Sequence, residues 1–464
     1  MFGSRKIPAI RLISSSAYAC CALAAHAQSA AQPGTGPTEG SLFQADDRQR
    51  IVSYWGDPIR YQVAPPDGAR QNGLWQVRLT VEGSLWLWNY NRTRRVSAPP
   101  TADAQPANDQ QRTWEDWLSK KLRHDRWRAW QMARQANMSI LGIDKPAPDK
   151  GMTVEEPPLP GPEPPDMLAA VGDPPQLARS VVPMQHTVTF DDFTVRYEDN
   201  VKLGNPRYAF YRFQDGVMSE GTATGSVPTD RLSRILQLAG CSESESRVMR
   251  AVSALEGGFD AVNTYDTGFV SIGFIQFASL KGGSGSLGSM LLTYKQDDPN
   301  DFVADFRRFG VDVSPNGDLD LVDPSTGAEV FGADANALII ADKRLVATFQ
   351  RAGQKSDMFC AEQVKSAKAQ FFPASDPVTF TTTDGQTLAG KVSDFIRSEA
   401  GLATLFDRKV NTGNIEALAS VAARVAAAHH CDQLADLCHF EREILAGLKY
   451  RADFTKDKTL TQPE

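Results

Sequence analysis

No tryptophan occurs after Trp130, and no apolar run after residue 25 is long enough to cross a membrane as a helix. Cysteine is scarce: two of the six fall within the first 27 residues, leaving Cys241, Cys360, Cys431 and Cys438. Phosphate-binding chemistry has no support either. The glycine-rich stretch Gly282 to Ser286 follows Lys281, whereas a P-loop needs its lysine after the glycines. The loop from Asp312 to Asp323 imitates a calcium loop but lacks a glutamate at its twelfth place, and Asn316-Gly317 within it is a hairpin signal. His429, His430, Cys431, Cys438 and His439 match no common zinc spacing. No metal and no other cofactor is expected.

What is there divides into regions. Arg5, Lys6 and Arg11 precede an apolar stretch from Leu12 to Ala25, and Ala25-His26-Ala27 is a small-x-small cleavage site, so residues 1–27 read as a secretory signal peptide. An exported protein, periplasmic or secreted, follows from that. Four remaining cysteines in an exported chain favour disulfides, with three possible pairings. Cys431 and Cys438 would lie about 10 Å apart on a continuous helix, too far to bridge unless the helix breaks. Residues 28–40 are a small, polar leader. All eight tryptophans lie in the next segment, 41–142, which is also basic, with a balance of +5 over residues 41–140. Trp75, Val77, Leu79 and Val81 alternate with polar residues, and Leu85 to Trp88 follows a turn, so a hairpin is expected there. A helix capped at Thr113 should run to about Asn137. Tryptophans in a small domain mostly form its core; exposed ones, with arginines beside them, would suit an anionic wall polymer.

Residues 143–178 are rich in proline, with a run from Pro157 to Pro165, and read as a semi-rigid linker. Residues 141–464, linker included, hold a balance of −14. Nucleic acid is not an expected partner: the basic balance is modest and the chain is exported. In the segment 179–455, strands are expected at 186–190, 193–197 and 208–213. Helices are expected at about 229–239, 242–256, 334–352, 355–371, 388–398, 400–410, 414–428 and 434–449. Residues 456–464 read as a tail. The fold class is α+β, mainly helical with a small β-hairpin region, preceded by a small tryptophan-rich mixed module.

The organising stretch is Ser242 to Ala278. Ser242 and Glu245 form a capping box, and Val248, Met249, Val252 and Leu255 make one buried stripe. Gly257 and Gly258 are expected to end this helix as left-handed caps, which puts Glu256 at its C-terminal end. The negative end of the helix dipole and partial burial would both raise the pKa of Glu256, as a glycosidase general acid requires. A hairpin then carries Asp266 in its turn region and Ser271 five residues on.

Glu256-Gly257, Tyr265-Asp266-Thr267-Gly268 and Ser271-Ile272-Gly273 resemble the active-site signature of phage-type lysozymes. In this chain the gap from Glu to Asp is one residue longer, the gap from Asp to hydroxyl one shorter, and Ser271 stands where the family has Thr. The stretch Ser271 to Gln276 is similar to a segment of lytic transglycosylases, and Asp266 to Phe277 to one of chitosanases, all in the lysozyme-like superfamily. Phe406 to Gly413, with Asn411, resembles a downstream helix-end element of several members. The resemblance implies a peptidoglycan-cleaving glycosidase with Glu256 as general acid, Asp266 as base or charge stabiliser, and Ser271 positioning water. It also implies Tyr265, Gln276 and Asn411 as substrate contacts. A lytic transglycosylase, a chitosanase acting on a cationic polymer, and a non-catalytic wall-binding protein are the alternatives.

Overall fold

The computed structural model describes residues 41–65, 76–96, 105–141, 154–199, 212–213, 215–255, 257–383, 385–448 and 451–464. The signal peptide, the leader, Trp75 and most of the strand expected at 208–213 lie outside them. The chain is about 52% helical, with small antiparallel sheets, an α+β arrangement. Helix α1 (Ala45–Trp55) opens it, and Phe43, Ile51 and Trp55 sit in the main core. The Trp55 indole donates to the Phe309 carbonyl at 3.0 Å. Strand β1 (Tyr61–Ala64) pairs antiparallel with residues 185–188, and β2 (Gln76–Leu79) pairs with 178–181.

The expected hairpin at 75–88 is not formed. After β2 comes a helix, α2 (Val81–Thr93), N-capped by Thr80, whose hydroxyl accepts from the Gly83 amide at 2.9 Å. A short run of alternating Leu and Trp fits either structure. The cap, and a buried face of Trp86, Leu87 and Tyr90 at helical spacing, decide for the helix. Gly83 permits the close approach, because a Cβ there would lie 3.0 Å from the Leu177 backbone. Helix α3 (Asp109–Leu141) starts earlier than expected: Asn108, not Thr113, accepts from the Gln111 amide at 2.8 Å. Trp114, Trp117, Leu118, Leu122, Ala129, Trp130 and Ala133 recur every three or four residues on its buried side. Five of the eight tryptophans are thus core residues; Trp88 and Trp127 are half-buried.

The proline-rich stretch is not a free spacer. Three indole N–H groups hold it against the helices: Trp117 on Gly161 O at 3.2 Å, Trp114 on Asp166 at 3.0 Å and Trp86 on Gly172 O at 2.8 Å. Short helix α4 (Pro165–Val171) buries Met167 there. Strand β3 (Ala178–Val181) then pairs with β2, and β4 (Gln185–Thr189) lies between β1 and β5 (Thr194–Glu198). Residues 41–64 therefore pack with the following body rather than with the tryptophan-rich helices.

In the body, β6 (Met218–Ser219), α5 (Thr229–Leu238), α6 (Glu243–Ser253), β7 (Val262–Asn263), β8 (Ser271–Ile272) and β9 (Phe277–Ala278) come first. Then follow α7 (Gly285–Asp297), α8 (Pro299–Asp305), β10 (Val311–Val313), β11 (Leu319–Val322) and β12 (Glu329–Phe331). The hairpin between β10 and β11 turns at Asn316-Gly317, with Gly317 at φ +82. The helix expected at 334–352 is two, α9 (Gly332–Ala341) and α10 (Lys343–Lys355), broken at Asp342, whose carboxylate caps the Arg344 amide at 2.9 Å. Helix α10 runs through the main core: Leu345, Val346, Ala347, Phe349 and Ala352 are fully buried on all sides.

Helix α11 (Asp357–Phe371) follows as expected. Residues 388–398 instead form strand β14 (Thr387–Lys391), paired with β13 (Pro377–Thr381), and a 3-10 turn. Helices α12 (Glu399–Thr412), α13 (Ala417–His429) and α14 (Glu441–Leu448) complete a second, smaller core around Phe380, Leu388, Leu418, Val425 and Ile444. The expected tail is docked. Thr461 exchanges hydrogen bonds with Glu399 and Ala400, and Leu460 is buried. No disulfide forms: Cys241, Cys360, Cys431 and Cys438 are all free. The Cys360 thiol donates to the Gly353 carbonyl at 3.2 Å inside the core instead. His429 stacks on Phe440 at 3.8 Å and meets Glu443 at 2.8 Å. Among the described residues no helix is long and apolar enough to cross a membrane.

Candidate functional site

Helix α6 begins with the expected capping box. The Ser242 hydroxyl accepts from the Glu245 amide at 3.2 Å, and Glu245 accepts from the Ser242 amide at 2.8 Å. Val248, Met249 and Val252 are buried. The helix ends at Ser253, three residues before Glu256, which lies outside the described residues. Gly257 and Gly258 are not left-handed caps; neither has a positive φ. They are glycines for another reason. The Gly258 amide donates to Glu220 O at 2.8 Å, and a Cβ on Gly258 would lie 2.1 Å from Thr222 O. The chain after Glu256 is thus pressed against the loop after β6.

That segment is also held by Asp260, buried, which accepts from the Thr222 amide at 2.7 Å and from the Gln354 side chain. Beyond it, β6, β7, β8 and β9 form a four-stranded sheet in sequence order, with Asn263 opposite Ser271 and Ser271 opposite Ala278. Asp266 lies in the β7–β8 turn, 8% exposed. One carboxylate oxygen accepts from the Gly268 amide at 2.9 Å and the other from the Asn263 side-chain amide at 2.8 Å. Burial raises the Asp266 pKa, and this outweighs the opposing pull of those two donors and of Arg212. Ser271 comes to the same place: a Cβ on Gly268 would sit 2.4 Å from the Ser271 hydroxyl and 3.3 Å from Asp266. Asp266 and Ser271 therefore flank Gly268, and only glycine fits between them.

Gln276 lies in the β8–β9 turn, half-buried, at φ +58, with its side-chain amide donating to Gly273 O at 2.9 Å. The same amide nitrogen is 3.7 Å from where a Gly257 Cβ would be, so the turn adjoins the residue after Glu256. Two expected substrate contacts are placed otherwise. Tyr265 is fully buried and supports the turn from below; its carbonyl accepts from the Arg212 amide at 2.7 Å and the Phe213 amide at 3.2 Å. Asn411 is 2% exposed in α12, where its amide donates to Asp407 O at 2.8 Å. Helix α12 packs on α6, and the Asn411 amide donates within α12 rather than to Asp266 or Ser271.

Four residues of this region carry no signal that sequence reading picked out: Arg212, Asp260, Asn263 and Gln363. Gln363, fully buried on α11, accepts from the Phe274 amide at 3.2 Å and donates to Phe259 O at 3.0 Å. One side chain thereby ties the segment after Glu256 to the β8–β9 turn. Gly273, at φ +82, leaves it room, since a Cβ there would lie 2.0 Å from the Gln363 oxygen. Asn263 had a local cue, an Asn three residues before an Asp in a turn segment. Gln363 is about a hundred positions from its partners and had none. No family model, curated protein or solved structure matches the chain.

Proposed function

We propose that this protein is an exported, lysozyme-like glycosidase that cleaves cell-wall peptidoglycan. The observation that carries the reading is the convergence of Asp266 and Ser271 around Gly268, in a sheet whose next turn adjoins Gly257. In this mechanism Glu256 protonates the glycosidic oxygen as the bond breaks. Asp266 acts on the opposite side of the sugar, activating water or stabilising oxocarbenium-like charge, and Ser271 orients that water. Gln276 is the substrate contact retained from the sequence. Tyr265 and Asn411, both enclosed, hold the frame.

The burial of Asp266 favours a second reading. A carboxyl whose pKa is raised by burial is ionised to a smaller extent and is less available as base or counter-charge, and a lytic transglycosylase needs Glu256 alone. Purified protein incubated with sacculi, with product ends identified by mass spectrometry, separates the readings. Reducing-end muramic acid marks a hydrolase and anhydro-muramic acid a transglycosylase. Release of chitosan fragments in a parallel incubation marks a chitosanase. No product from either polymer returns the protein to the non-catalytic wall-binding class. Glu256→Gln should lower kcat at least about a hundredfold with an unchanged Tm. A Gln variant with near-full turnover would remove Glu256 from the mechanism.

A further inference from the structure

Several arginines of the body meet carboxylates. Arg231 and Arg234 share Asp357, Arg247 meets Glu399, Arg344 meets Asp342, Arg351 meets Asp192 and Asp305, and Arg451 meets Asp407. Arg212 is not one of them. Its backbone is fixed against the site, because its amide donates to Tyr265 O at 2.7 Å, one residue from Asp266. Its side chain is half-buried, its Nε is enclosed with no hydrogen-bond partner, and it forms no ion pair among the described residues. Asp266 attracts it from nearby, through charge alone and with no hydrogen bond between the two side chains.

A guanidinium that is partly desolvated and unpaired is costly, and its planar fork fits a carboxylate in a way no hydroxyl can match. We infer that Arg212 is a specificity-determining residue of the proposed site, binding a carboxylate carried by the glycan next to the sugar that faces Asp266. This inference rests on the glycosidase reading above and narrows its substrate class. Peptidoglycan bears carboxylates on its lactyl-linked peptides. Chitin oligosaccharides are neutral and chitosan is cationic, so a fixed positive charge at this point favours the first and repels the last.

The test compares the full chain with its Arg212→Gln and Arg212→Lys variants on soluble peptidoglycan strands and on neutral chitin oligosaccharides. Measured above the acidic limb of the profile, where the rise in the Asp266 pKa on loss of Arg212 does not reach, Arg212→Gln is expected to raise KM for peptidoglycan about tenfold, with KM for the neutral oligosaccharide within about twofold and kcat little changed. Lys should recover part of the loss, and the wild-type preference should weaken as salt is added. Equal losses on both glycans, or no loss on either, would overturn the assignment. A binding arm uses Glu256→Gln protein, titrated calorimetrically with the same strands before and after removal of their peptides. A preference for the peptide-bearing strands that disappears with Arg212→Gln supports the inference even where turnover is absent. Equal binding with and without Arg212 overturns it. Failure of the wild type to cleave either glycan counts against the glycosidase reading alone.

Discussion

Among the described residues Asn263 is the only side chain that donates to Asp266, and it also accepts from the Tyr265 amide at 3.1 Å, so its rotamer is fixed from both ends. A donor to the ionised carboxylate favours ionisation. Asn263→Ala should therefore raise the Asp266 pKa further, moving the acidic limb of the kcat/KM profile to higher pH. A variant that loses activity with an unmoved limb would reduce Asn263 to a packing role. Elsewhere, Asp320 is fully buried and among the described residues no donor reaches either oxygen. Burial, then the neighbouring Glu329 and Asp312 carboxylates, push it up to about 8. A folded pKa above the unfolded one means the fold binds the extra proton. The associated stability is complete below the ordinary carboxylate range and is lost as pH rises to about 8. Asp320→Asn should thus raise Tm relative to wild type at pH 9, and the gap should close towards pH 4. A constant gap across that range would show that Asp320 is not the titrating group.

Among the elements, helices α6 and α12 are joined by a bidentate pair in which Arg247 donates to Glu399 at 2.6–3.0 Å. Burial works against the Glu399 charge, but Arg247 and the Thr461 amide overcome it and hold the pKa at about 2. The sign is opposite to that of Asp320: this stability is complete above the ordinary range and lost as pH falls towards 2. Glu399→Gln should lower Tm at pH 7 by a few degrees, with little difference near pH 2, by calorimetry. Gln363→Leu should cost about 2 kcal/mol in denaturant unfolding, because it strands the Phe259 carbonyl and the Phe274 amide. Local pattern carried the elements whose signals lie within the element itself. The α6 capping box, the Asn316-Gly317 turn and the Asp266 turn are of that kind. Leu85 to Trp88 was misread because four alternating residues hold no more than one helical turn. The Thr80 cap was a local cue, but the core that buries Trp86 and Leu87 includes Leu177, about ninety residues away. Gly257 and Gly258 were misread for a related reason: their partners are in the loop at 220–222, not in their own helix.

At the scale of the molecule, Phe43, Ile51 and Trp55 belong to the main core although a proline-rich stretch separates them from it in sequence. Each such side chain is worth about 2 kcal/mol when buried. A fragment of residues 176–464 should therefore bind a hydrophobic dye and unfold at much lower denaturant than the full chain; matching midpoints would show that the first helix is dispensable. The same arrangement sets a timetable. Tyr61 pairs with Val188, and the Trp55 indole reaches a carbonyl 254 positions along the chain. Closing loops of that size is an entropic toll met before any contact rewards it, so assembly is slow and the first helix settles late. For a polypeptide that we read as crossing a membrane before it works, delay is useful: a chain that cannot knit its two ends together early remains a thread.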